Sequence, residues 1–218
     1  MIKNNKKDEI IFLIDNTFQN TGKMGTYGYK ELSGLISTKE FLDYLEKDKK
    51  KNGDFHKLEK FSELYDKIKN YLTDKDIAIK KMDGVLNYTK KTKEDAEKIA
   101  KSGKVADVEK AIVDAIYGKD DEAIYTIVNT FYECTSEDIT GANSQNQKYQ
   151  KADLVNLLQN KELKDYLKEA KNTNSNLYTK FKELFNKQDK GMKGYLEKNN
   201  NNQNVTNLVK ELDDIFNK

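Results

Sequence analysis

The chain has one histidine, His56, and one cysteine, Cys134. A zinc site or an activated nucleophile would need further Cys or His partners for these two, and neither has any. Cys134 falls at the end of a predicted helix and reads as a buried structural thiol, and a lone cysteine excludes an internal disulfide framework. Paired carboxylates recur at Asp8-Glu9, Asp74 and Asp76, Glu94-Asp95, Asp120-Asp121-Glu122, Glu137-Asp138 and Asp213-Asp214. Most lie in predicted first helical turns, where negative charge complements the helix dipole, so capping explains them without acid–base chemistry. Asp74-x-Asp76 lacks the glycine and the bidentate glutamate of a calcium-binding loop. Gly22-x-x-Gly25-x-x-Gly28 lies between two helices with no Lys-Ser/Thr behind it, and so reads as a connector instead of a phosphate cradle. No G-x-S-x-G or H-E-x-x-H motif is present. These residues predict a non-enzymatic protein with no metal or cofactor site.

The aromatic residues carry the remaining chemistry. Of 13 tyrosines and 9 phenylalanines, many share helical stripes with leucines. Such rings either fill a core or leave gaps between helical layers that form an elongated apolar cavity. The residues expected to line such a cavity are Tyr44, Phe61, Tyr65, Tyr71, Tyr166, Phe181, Phe185 and Tyr195. Tyrosine hydroxyls and lysines at its mouth would hold the polar end of a long-chain fatty acid.

The elements that would position these residues are written twice. D-E-I-I-F-L-I-D-N-T-F (Asp8 to Phe18) answers D-E-A-I-Y-T-I-V-N-T-F (Asp121 to Phe131). Leu32, Leu35, Tyr44 and Leu45 recur as Leu154, Leu157, Tyr166 and Leu167; Phe61 and Leu64 recur as Phe181 and Leu184; Tyr71-Leu72 recurs as Tyr195-Leu196. His56 falls near Tyr178 of the second copy, which favours a helix-surface position over a site. Apolar spacing is helical nearly everywhere, and no sustained period-two alternation is present. The expected fold is all-α: two tandem helical bundles from an internal duplication, residues 1–118 and 119–218. Helices are predicted over about 7–20, around Leu32 to Ile36, from a capping box at Ser37 and Glu40, from Leu58 to Leu72, over 105–117 and over 204–217. Residues 77–100 either continue the preceding helix or fold back as their own. The copies differ most in the polar stretch 133–150 and in the added segment after Leu72, so function peculiar to this chain is expected there or in the cavity.

Composition narrows the partners. All 39 basic residues are lysine, opposed by 37 acidic residues for a net charge of +2, with no proline or tryptophan. Without arginine there is no bidentate fork for phosphate, and the charges are mixed along the chain, so nucleic acid is not an expected partner. No stretch approaches a membrane span. Met1 to Lys7 has no apolar segment behind it, so the chain is expected either to be cytosolic or to have lost an export signal.

The D-E-x-x-x-x-I opening of each copy, Gly28-Tyr29-Lys30 and the short leucine-bearing helix after it resemble the helical repeats of plasmid-encoded surface lipoproteins of relapsing-fever Borrelia. The proline-poor, Lys/Asn-rich composition suits that group. The resemblance implies paired helical bundles, a lipid-anchored outer-surface location, and a role at the host–vector interface that includes fatty-acid-like ligands. It supplies no functional residues. Two functions are therefore expected: binding a long-chain lipid in an apolar cavity, or adhesion and immune evasion by binding a host or tick protein.

Overall fold

A computed structural model describes residues 7–20, 29–50, 59–72, 77–135, 148–173, 175–188, 191–198 and 200–218. Among the described residues every regular element is a helix, so the fold is all-α. The chain forms two compact units, Met1–Thr89 and Lys90–Lys218.

The first unit contains α1 (Lys7–Asn20), α2 (Tyr29–Ile36), α3 (Lys39–Lys50), α4 (Glu59–Leu72) and α5 (Ile77–Asn87). Ile10, Ile14, Leu32, Ile36, Phe41, Leu45, Phe61, Leu64, Ile68 and Leu72 are buried in one core, joined by Ala78, Ile79, Met82 and Val85 of α5. The first part of the added segment after Leu72 is therefore a core helix, α5. It does not continue α4. The Tyr65 hydroxyl donates to the Asp83 carboxylate, and Lys69 pairs with the same carboxylate at 3.3 Å. In one straight helix residues 65 and 83 would lie about 27 Å apart.

One helix end is closed differently from the sequence expectation, and a second is closed by a side chain from another helix. The capping box expected at Ser37 and Glu40 shifts by one residue: α3 begins at Lys39, and the Phe41 amide donates to Thr38 Oγ1 at 3.4 Å. Ser37 still completes the preceding helix, its amide donating to Ser33 O and its hydroxyl to Gly34 O. At the end of α5, Lys49 Nζ donates to Val85 O at 3.1 Å and Tyr88 O at 3.2 Å. A side chain from another helix thus satisfies carbonyls that the helix end orphans.

The second unit contains α6 (Lys93–Ala100), α7 (Val105–Tyr117), α8 (Asp121–Glu133), α9 (Lys151–Gln159), α10 (Lys161–Asn172), α11 (Asn176–Asn186), α12 (Met192–Glu197) and α13 (Gln203–Asn217). Thr92 opens α6 by accepting the Asp95 amide, with Glu94 and Asp95 in the first turn where the helix dipole favours them. Both α6 and α7 pack on α8. The buried Ala96, Ala100, Ala111 and Ala115 permit that close approach. The compact units part at 89/90, upstream of the 118/119 boundary expected from the sequence. Asp120, only 3% exposed, reinforces this arrangement. Its carboxylate caps α8 at Ala123 and accepts the Lys91 amide at 3.1 Å.

Sequence-matched segments are helical in both units, and five matched apolar pairs are core positions in both. Ile14 and Ile127, Leu32 and Leu154, Leu45 and Leu167, Phe61 and Phe181, and Leu72 and Leu196 are all at most 2% exposed. They diverge where α4 is one helix and its counterpart is two, α11 and α12, separated by the segment ending at Gly191.

Candidate functional site

The eight aromatic residues expected to line a cavity divide between the units. In the first, Phe61 and Tyr65 stack at 6.4 Å, and Tyr44 is buried. Tyr71 is 45% exposed and meets Phe18 edge-on at 5.9 Å. In the second, Phe181 packs edge-on against Tyr125 at 5.7 Å, Phe185 against Phe216 at 5.2 Å, and Tyr195 edge-on against Tyr132 at 5.7 Å. The Tyr166 hydroxyl donates to Asp121 at 2.9 Å and the Tyr195 hydroxyl to Thr135 O at 3.2 Å. Among the described residues, Phe61 and Tyr65 are the two of the eight that pair ring to ring. The other ring contacts are to residues outside the set, in layers where each ring occupies space beside its neighbour.

Two open grooves, of about 540 and 370 Å³, indent the surface of the second unit between α9 and α13. They share Gln159 and Asn204, and none of the eight aromatic residues lines either. The walls are rich in carboxamides: Asn156 and Gln159 on α9, Asn204 and Asn207 on α13. The buried Val155 and Val205 form an aliphatic floor. Lys151, at the groove's edge, is engaged: its Nζ donates to Lys198 O at 2.8 Å and lies 5.4 Å from the Tyr195 ring centroid. Burial lowers its pKa. At the other end Lys164 is paired with Glu211 at 2.7 Å. The i,i+3 amide pairs are visible in the sequence, but only the packing of α9 on α13 sets them across from each other.

Cys134 ends α8 and is buried. Burial pushes its thiol up, ahead of the opposing pull of Lys101 and Lys148. The reactive thiolate is thereby disfavoured. The native protein is expected to react slowly with a neutral-pH thiol reagent and to release one full equivalent on unfolding. Full reaction before unfolding would show that the thiol is accessible. The clear tyrosine shifts also run away from neutrality: burial raises Tyr44, Tyr125 and Tyr149, and pushes Tyr117 up to about 12.

Among the described residues no group of three or more His, Cys, Asp and Glu is placed to hold a metal ion. His56, the glycines at 22, 25 and 28, Asp54, Asp74, Asp76 and residues 136–147 of the long loop lie outside the described residues. Tyr178, near which His56 falls when the two copies are aligned, has a structural contact: its hydroxyl donates to Phe216 O at 3.0 Å. Among the described residues no helix is long and apolar enough to cross a membrane. Comparison of the chain with models of known families, with curated proteins and with solved structures gives no match.

Proposed function

We propose that this chain is a non-enzymatic helical binding protein of a bacterial outer surface, engaging a host or vector protein through its exterior. The observation that carries this reading is the packing of the aromatic stripes. Phe61, Phe181 and Phe185 are each at most 2% exposed and have ring neighbours at contact distance. Rings packed in this way favour partner binding over lipid storage. The two grooves of the second unit set carboxamides beside aliphatic side chains, the mixture of polar and apolar surface that protein interfaces carry. The outer-surface location rests on the resemblance to Borrelia lipoproteins.

The full chain, immobilised and exposed to serum and to tick extract, is expected to retain a polypeptide that then binds the purified chain saturably in solution. Retention of no such polypeptide, with stoichiometric fatty-acid uptake by the same delipidated sample, would overturn the reading in favour of lipid binding.

A further inference from the structure

We infer that the trough between α9 and α13 is a site for an extended polypeptide segment, held by carboxamide pairing to its backbone; this rests on the partner-binding reading above. The two grooves share Gln159 and Asn204 and so lie side by side at the helix pair. Each wall carries two carboxamides at i and i+3: Asn156 and Gln159 on α9, Asn204 and Asn207 on α13. That spacing sets neighbouring Cβ atoms about 5–6 Å apart on one helix face. An extended chain presents its backbone groups on one side every two residues, about 6.6–6.8 Å. Flexible side chains absorb the small difference.

A carboxamide offers one carbonyl acceptor and one NH₂ donor, the same pair a peptide group offers, so each can pair with a peptide unit in two-point fashion. Among the described residues the side chains of Asn156, Gln159 and Asn204 make no hydrogen bond. Asn207 Oδ1 accepts from Gln203 at 2.9 Å, which leaves its NH₂ to donate. By contrast Asn200 and Asn202 are spent on the turn: Asn200 Oδ1 accepts the Asn202 amide and Asn202 Oδ1 accepts the Asn204 amide, both at 2.9 Å.

The surroundings select among ligands. Val155, Val205 and Leu208 offer aliphatic contact for alternate side chains of an extended segment. No lining residue is aromatic, so the trough lacks the stacking platform that sugars and bases use. Lys151 and Lys164 are engaged by Lys198 O and Glu211, which disfavours a phosphorylated ligand. A peptide backbone is the polar ligand that matches paired donors and acceptors over an uncharged aliphatic floor.

The test uses the full chain and a phage-displayed library of random heptapeptides. Selected peptides are expected to bind the wild-type chain and to lose about tenfold or more in affinity for an Asn156→Ala, Gln159→Ala, Asn204→Ala variant. N-methylation of alternate backbone nitrogens in the peptide is expected to weaken binding comparably. All three positions are exposed, so the variant should melt as the wild type does. Selected peptides that bind the variant unchanged, or tolerate N-methylation, would overturn the trough as their site. Failure to select any peptide, or binding only to a glycan array, would overturn the ligand class. A serum or tick partner retained equally by the variant would remove the trough while leaving the partner-binding reading in place.

Discussion

Replacing Tyr149 by alanine is expected to cost the second unit about 3–5 kcal/mol in urea denaturation. Tyr149 is 1% exposed, and its ring stacks on Phe131 with centroids 3.9 Å apart. Its hydroxyl donates to Ala100 O at 2.7 Å and accepts the Gly103 amide at 3.0 Å. Gly103 has φ +77°, a conformation suited to glycine, so the hydroxyl closes on a turn whose backbone is already committed. Next to it, the Lys148 amide donates to Cys134 O at 2.9 Å. One side chain therefore fastens the α6–α7 turn, the end of α8 and the chain entering α9. Tyr149→Phe should cost about 1–3 kcal/mol, because it keeps the stack and leaves the Gly103 amide and Ala100 carbonyl with a partner removed. The alanine variant should also speed native-state labelling of Cys134. Wild-type stability in the alanine variant would show that the ring is not a structural latch.

The second large effect is expected at Gly191, which is buried where the chain turns from α11 into α12. A Cβ there would fall on the Lys187 carbonyl oxygen and lie 2.8 Å from both Lys187 N and Phe185 O. All are backbone atoms, so no side chain can swing aside, and the turn itself must shift. Gly191→Ala should destabilise by about 3 kcal/mol, at the upper end of overpacking costs. Gly194 is the control: its Cβ would meet nothing within 4 Å, and it lies inside α12. There alanine should be neutral or stabilising by about 0.5–1 kcal/mol, through helix propensity and a less flexible unfolded chain. Equal thermal shifts for the two variants would contradict the close backbone approach at Gly191.

Helix positions were legible in the sequence wherever an apolar stripe met a polar or glycine break. The helices at Lys7–Asn20 and Val105–Tyr117 fall where Ile10, Ile14 and Phe18, and Val108, Ile112 and Ile116, placed them. The turn back at α5 was left open because no proline marks it. Its evidence is tertiary: Asp83 meeting Tyr65 and Lys69, and Lys49 closing the end at Val85 and Tyr88. Ser37 and Thr38 are both good caps by type, and only the hydrogen bond of Ser37 back into α2 decides between them. Of the aromatic stripes, Tyr44, Phe61, Tyr65, Phe181 and Phe185 turn inward, whereas Tyr71 is left 45% exposed. Spacing alone carries no information on whether space remains between rings, since that depends on partners such as Tyr125 and Phe216 on other helices. Likewise the paired amides of α9 and α13 are ordinary surface residues until packing sets the two helices side by side.

That difference between filled and open space is the most exposed part of the account. Titrating delipidated full chain with a fluorescent long-chain fatty acid measures it directly. The account predicts no saturable uptake at micromolar ligand. Saturable uptake at one or two chains per protein, lost on enlarging the buried ring at Phe181 or Phe185 to tryptophan in a variant that still folds, would contradict it.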